Sequence, residues 1–335
     1  MITSPSIRIV AGQFHEIDDA TLTYVKQLGV NGIQFNTPNL PGDSTWAYDD
    51  LAKLRERCDR AGLTIESIEN VPIRFYDKIM LGLPGRDAQL ASYAELVRNL
   101  GRAGIPILGH HFMPNFVWRT VLDAPGRAGA QVSGFDLDAA ERGENLVPYP
   151  SNRTTRIPSE ETMWANYEYF LRGVLPAAEE AGVRLALHPD DPPVPMLDGT
   201  ARLFYRTENF KRAEALADSP AWGLNLCLGC CSEMPGGAIN VYEMIDWFGP
   251  RGKILYVHFR DVQGTVPSFR ECFLGEGNYD PAEALFRLKR SGFSGFLLDD
   301  HVPQVEGDTA WGHRARAHAI GYMQGLLKAL EREQR

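Results

Sequence analysis

No apolar run in these 335 residues approaches the ~20 that a hydrocarbon core demands, so a membrane-spanning role is not expected. Positive charge is also short, with 34 Lys and Arg against 43 Asp and Glu, a net charge of −9, and no basic cluster. That balance disfavours nucleic acid and anionic membrane surfaces as partners. Cysteine is scarce and odd in number, five in all, too few to staple a chain of this length. The expected compartment is therefore the reducing cytoplasm. The start, Met1-Ile-Thr-Ser-Pro5, lacks the basic-then-apolar order of a secretory signal. A glycine-rich phosphate loop is missing too, since the first apolar run leads into Gly12-Gln-Phe-His15. A nucleotide-binding doubly wound sheet is the weaker architecture for that reason.

What the chain does have is a rhythm. Short apolar runs at residues 7–12, 32–35, 64–68 and 106–108 alternate with helical patterns at 18–28, 46–61 and 87–103, each closed by a glycine. Residues 70–86 read as a long loop, with Asp87 capping the helix after it. The rhythm breaks over residues 112–158, which read as an insertion and possible lid. It resumes with helices at 159–181, 208–217, 239–248 and 281–291, preceding strands at 184, 223, 254 and 295, and a last helix spans 312–331. Eight strand–helix units without a break in composition predict an α/β fold, a (β/α)8 TIM barrel forming one domain over 1–335. The active site of such a barrel lies at the C-terminal strand ends.

Four of those ends carry metal-ligand chemistry. Leu185-Ala-Leu-His188-Pro-Asp-Asp-Pro-Pro193 ends in a histidine, Gly223-Leu-Asn-Leu-Cys227 in a cysteine, Ile254-Leu-Tyr-Val-His258 in a histidine, and Gly295-Phe-Leu-Leu-Asp-Asp300-His301 in an acidic pair and a histidine. They recur at roughly one βα unit, about 30–40 residues, so His188, Cys227, His258 and Asp300 can share one level of the barrel. This donor set leaves Zn2+, Mn2+ and Fe2+ open. A structural zinc site on Cys227-x-x-Cys230 lacks its second CxxC. His301 is the expected general acid or base, and Arg260 is expected to hold a substrate carboxylate. Further candidates for contact with substrate are His110, His111 and Arg119 around the fourth strand end, Asp190 and Asp191 after the fifth, and Glu69 after the third. A divalent cation with a base and an arginine suits a small hydroxylated anion and an enediolate intermediate. Elimination of water or isomerisation could follow from it.

Most of the chain resembles the mannonate dehydratase family among the xylose-isomerase-like barrels. The resemblance rests on Ile68-Glu-Asn-Val-Pro72, Lys78-Ile-Met-Leu-Gly-Leu-Pro-Gly-Arg-Asp87, Phe112-Met-Pro114, the HPDDPP stretch from His188, Asn225-Leu-Cys227-Leu-Gly229, Val257-His-Phe-Arg-Asp-Val262 and Asp299-Asp-His301. It implies a hydro-lyase that converts D-mannonate to 2-keto-3-deoxygluconate with a divalent metal, typically Mn2+. His188, Cys227, His258 and Asp300 would be the ligands and His301 an acid/base. The alternative it leaves is a sugar isomerase or epimerase of the same superfamily. The expected partner is a small sugar acid or sugar, and the expected assembly a homo-oligomer. One segment departs from the pattern. The family's tyrosine-rich segment after the Asp-His pair is Thr309-Ala-Trp-Gly-His-Arg-Ala-Arg316 here, and His313 is the expected stand-in for a catalytic tyrosine.

Overall fold

The computed structural model describes residues 7–147 and 158–332. Strands β1 (Arg8–Phe14), β2 (Gly32–Phe35), β3 (Thr64–Ile68) and β4 (Ile107–His110) precede a short hairpin, β5 (Val121–Pro125) and β6 (Gln131–Asp136). Then come β7 (Arg184–Leu187), the two-residue strands β8 (Met196–Leu197) and β9 (Thr200–Ala201), β10 (Trp222–Cys227) and β11 (Ile254–His258). A second hairpin, β12 (Asp261–Thr265) and β13 (Ser268–Cys272), precedes β14 (Phe296–Leu298). Eight of these, β1, β2, β3, β4, β7, β10, β11 and β14, close a parallel barrel in chain order, with β14 pairing back onto β1. This is the TIM barrel expected from the strand–helix rhythm.

Barrel strands are covered on both faces, which is why they read as continuous apolar runs rather than alternating ones. Every residue of β10 and β11 is buried. Val10, Ala186, Leu255, Tyr256, Phe296 and Leu298 pack together as one cluster with Ile107 against it, and the Tyr256 and Phe296 rings stack at 4.9 Å. Larger side chains such as Trp46, Tyr93, Phe170 and Trp222 build the separate, more extensive core that includes the helices. Helix starts follow their sequence signals: Asp18, Ser159 and Asp280 each accept a backbone N–H of the first turn. Among the described residues, no helix is long and apolar enough to cross a membrane.

The structure corrects three local expectations. Residues 70–86 are not a plain loop: they hold a 3-10 turn, Ile73–Phe75, and a helix, Asp77–Leu81, too short to show a helical period. Asp87 is not a cap. The helix Arg86–Arg102 starts from Gly85 in a left-handed conformation, φ 88°, and the Asp87 carboxylate instead accepts the Tyr169 hydroxyl. The stretch 112–158 is not without period either, because β5 and β6 pair with the unanticipated hairpin after β11. The result is a four-stranded antiparallel sheet in the order β12, β13, β6, β5, backed by Trp118, Phe135, Val262 and Phe269. Residues 148–157 of that stretch lie outside the described residues.

Candidate metal centre and active site

The four strand-end residues converge. The ligand atoms of His188, Cys227, His258 and Asp300 all lie within 4.8 Å of one another. Cys227 and His258 are register partners on adjacent strands. Asp300 follows β14 in a left-handed backbone conformation, φ 56°, the kind of local strain that a functional position can retain. His188 Nδ1 lies 2.7 Å from the Pro189 carbonyl, which can only accept. That nitrogen therefore carries the hydrogen, and Nε2 keeps the lone pair a metal needs. His258 Nδ1 is buried without a hydrogen-bond partner, 3.3 Å from Asp300 Oδ2. Burial opposes charge on the His258 ring, but Asp300 and Glu69 outweigh it and raise its pKa well above the usual imidazole value. Burial likewise opposes a Cys227 thiolate, yet Cys230, Arg260 and the two histidines hold its pKa well below that of a free thiol. A thiolate, two imidazoles and a carboxylate around an orphaned nitrogen fit a divalent cation.

Gln13 was invisible to the sequence reading and sits beside these ligands. It is the penultimate residue of β1, with φ 68°. Its side-chain nitrogen donates to Glu69 Oε2 at 2.7 Å and to Asp300 Oδ1 at 3.0 Å, while its oxygen accepts from Asn36. One amide thus holds two carboxylates that would otherwise repel. Its only sequence signal was that it, too, is a polar residue at a strand end.

Arg260 is not free to bind a substrate. It is 2% exposed, and its guanidinium donates to Asp300 Oδ2 at 3.0 Å, Glu233 Oε1 at 2.9 Å and Asp191 Oδ2 at 3.0 Å. It also meets Cys230 Sγ at 3.1 Å. Asp191, Cys230 and Glu233 could by themselves be taken for a second cation site, but Arg260 already supplies the positive charge there. It is scaffold, and a catalytic contact for it is withdrawn. The same contact keeps Cys230 out of the ligand set, against a structural CxxC site.

Above the ligands opens a cavity of about 590 Å³ lined by Gln13, Glu69, His111, Arg119, Asp191 and His301, among others. A larger, shallow hollow of about 730 Å³ lies around Arg8, Gly32 and Lys328. It holds no histidine or cysteine and so offers none of this chemistry. His301 has a 41% exposed side chain, and its Nδ1 lies 2.6 Å from Glu271 Oε1. Burial lowers its basicity, but Asp300 and Glu271 outweigh that and raise its pKa to about 9. Arg119 reaches the cavity wall with its guanidinium already paired to both oxygens of Asp191 and to Glu271. Asp191 therefore serves the ion-pair network beneath the cavity. Glu271, Arg316 and His15 also line the cavity. Sequence reasoning missed all three, whose polar residue type alone does not set them apart from any surface residue.

Besides Arg260, three candidates for catalysis or substrate contact fall outside the cavity lining. His110 is the last residue of β4, not the loop residue after it, and strand alternation turns it away from the cavity side. Its Nε2 lies 3.3 Å from the Tyr167 hydroxyl and its ring packs on Phe170, while His111, one residue on, faces the cavity. Gly109 marks the inward direction, since a Cβ there would sit 2.2 Å from the Glu69 carbonyl. Asp190 is fully buried and accepts the Phe204 N–H at 2.7 Å, a loop-forming role. His313 packs against Tyr24 and Trp311, with Nδ1 2.6 Å from Thr309 Oγ1. The cavity wall there is formed by Ala310, Trp311 and Gly312, so the tyrosine-substitute role is withdrawn.

His110 carries a pH prediction. Burial pushes its pKa from 6.5 down to about 3. The folded chain keeps it neutral, whereas the unfolded chain protonates it below about pH 6.5. The unfolded state therefore binds the extra proton, and stability falls as pH drops from 6.5 towards 3, by up to about 1.4 kcal/mol per pH unit. In a plot of urea midpoint against pH, His110→Gln should flatten this acid branch. An unchanged slope would reject the assignment.

Comparison with known proteins bears on the family and the fold. The D-mannonate dehydratase (UxuA) family profile matches residues 8–148 and 151–335. A mannonate dehydratase of Thermotoga neapolitana is 32% identical over 347 residues, covering 94% of this chain and 95% of its own. One from Lactococcus lactis subsp. cremoris is 31% identical over 349 residues, covering 94% and 96%. The crystal structure of mannonate dehydratase from Streptococcus suis serotype 2 superposes with a TM-score of 0.87 at 30% identity, over 98% of this chain and 96% of that one. An L-ribulose 3-epimerase structure, at 18% identity and a TM-score of 0.60, shares the fold alone, so the dehydratase reading stands over the isomerase or epimerase one. With the profile match spanning nearly all of the sequence and full-length relatives at this identity, the chain belongs to the D-mannonate dehydratase family of hydro-lyases.

Proposed function

We propose that this protein dehydrates D-mannonate to 2-keto-3-deoxygluconate with a divalent cation, Mn2+ being the expected ion and Fe2+ or Zn2+ the alternatives. The observation that carries the reading is the convergence of His188, Cys227, His258 and Asp300 beneath a cavity that also receives His301. A divalent cation held by those four residues would supply Lewis acidity towards the carboxylate and hydroxyl oxygens of the substrate. Dehydration removes the proton on the carbon next to the carboxylate and the hydroxyl one carbon further on, and the resulting enol becomes the ketone. His301, with Nδ1 engaged by Glu271, holds and moves a proton at Nε2. His111 is pushed by burial down to a pKa of about 3 and so offers a neutral polar contact to a hydroxyl. Gln13, Asn36 and Asn70 add amides suited to a polyol. Leu122, Gln131, Val132 and Ser133, from the hairpin β5–β6, form one wall of the cavity. The volume, about 590 Å³, suits a six-carbon acid. The same reading has the protein act on this small solute in the cytoplasm, as a homo-oligomer.

The test is turnover of D-mannonate by metal-stripped protein reloaded with Mn2+, scored for the 2-keto-3-deoxy acid. Metal-dependent product is the expected result. No product from protein with stoichiometric bound Mn2+ would assign the site to another sugar acid.

A further inference from the structure

We propose that Glu271 is the positioning residue for His301, fixing the imidazole so that Nε2 is the nitrogen presented to the substrate; this rests on the reading of His301 as the proton-transfer group. His301 needs such a partner. It follows Asp300 in a left-handed backbone position at the end of a short strand. Its side chain is 41% exposed, and among the described residues the ring has one hydrogen-bond partner, Glu271 Oε1 at 2.6 Å.

Glu271 is held much more firmly than the ring it contacts. Its side chain is 8% exposed, with Arg119 Nη2 at 3.1 Å and Arg260 Nη1 at 3.5 Å from the same carboxylate oxygen that meets His301. It faces inward together with Phe269, because β13 alternates buried and open residues. β13 is clamped between β12 and β6, so the carboxylate stands on a sheet rather than on a free loop. Burial resists charge on Glu271, but His301 and the two arginines overcome it and keep the group ionised.

The chemical consequence follows from the pairing. An ionised carboxylate can only accept, so Nδ1 carries a hydrogen in either charge state of the ring, and Nε2 is the nitrogen that gives up or takes the exchangeable proton towards the substrate. When Nε2 takes the proton from carbon, the imidazolium formed is stabilised by the facing carboxylate. The proton then passes from Nε2 to the departing oxygen, and Glu271 neither gains nor loses one. The carboxylate that sets the tautomer comes from the hairpin between β11 and β14, not from a barrel strand.

Two measurements test this. In Mn2+-loaded protein, Glu271→Ala should lower kcat about 100-fold or more with KM and metal content little changed. Glu271→Gln should recover part of the loss, because its amide oxygen still accepts from Nδ1. In a His301→Ala background, Glu271→Ala should cost nothing further, the non-additivity of two groups acting as one. An equal loss in both backgrounds, or a parallel fall in thermal midpoint and metal content, overturns the proposal in favour of a structural role. Independently of turnover, proton NMR of the metal-stripped protein should show a far-downfield imidazole N–H resonance that both His301→Ala and Glu271→Ala abolish. Its survival in Glu271→Ala overturns the proposal. If D-mannonate is not turned over, the functional reading fails, and the resonance still decides the pairing.

Discussion

Cys227→Ser should bind Mn2+ at least about 100-fold more weakly than the unaltered protein and lose turnover of D-mannonate, while keeping its fold. Losing an outer-shell partner of a metal site already costs about 10–100-fold in affinity, and Cys227 is read as a direct ligand. The substitution changes one atom but removes an anion. Cys230, Arg260, His188 and His258 stabilise a thiolate at this point, whereas a serine hydroxyl stays protonated at neutral pH and brings no charge to the cation. The fold is spared because the hydroxyl is smaller than the thiol and has polar neighbours to satisfy it. Equilibrium dialysis with metal analysis, beside a urea unfolding curve of the metal-stripped protein, separates the two effects. Unchanged Mn2+ affinity would remove Cys227 from the ligand set and leave three donors.

Arg260→Leu should destabilise the metal-stripped protein by about 3–5 kcal/mol, the usual cost of stranding buried charges. That is a large share of the 5–15 kcal/mol that typically holds a domain together. The reason is the crowd of carboxyl groups the guanidinium serves: Asp191, Glu233 and Asp300 all accept from it within 3.0 Å. Asp191 keeps Arg119 and Asp300 keeps Gln13, but Glu233 loses its hydrogen-bonding arginine. Burial and Asp191 have already pushed the Glu233 pKa up to about 8, so that group would answer by holding a proton and soften part of the penalty. Arg260→Lys should recover little, because an ammonium cannot spread three donors in a plane. An unfolding free energy from urea titration that falls by less than about 1 kcal/mol would show that the network contributes little to the fold.

Both predictions draw on residues named from sequence, and of the two only Cys227 stands where its expected role requires. Cys227 could be placed because its information is local: an apolar run ends, and the next residue bears a ligand atom. The same holds for His188, His258 and Asp300, and for the strand–helix rhythm. Arg260 was placed at the right strand end, but what its side chain touches depends on Glu233 and Asp300, 27 and 40 residues away. His110 was misassigned for a simpler reason. Successive side chains of a strand point to opposite sides, so moving a boundary by one residue exchanges cavity for core. The structure ends β4 at His110, and His111 takes the cavity position.

The sequence by itself determined the eight-unit barrel, the level of the strand ends and the four-residue donor set, because apolar periodicity and terminal residue type are properties of short windows. Only the tertiary structure decided which polar neighbours complete the site. Gln13 meets Asp300 across 287 residues, Arg119 meets Glu271 across 152, and two hairpins with weak patterns of their own form one sheet. The first of these contacts arises from barrel closure, which brings the first and last strands together, the others from the pairing of the two hairpins, and no short window shows which side chains such long-range pairings will join.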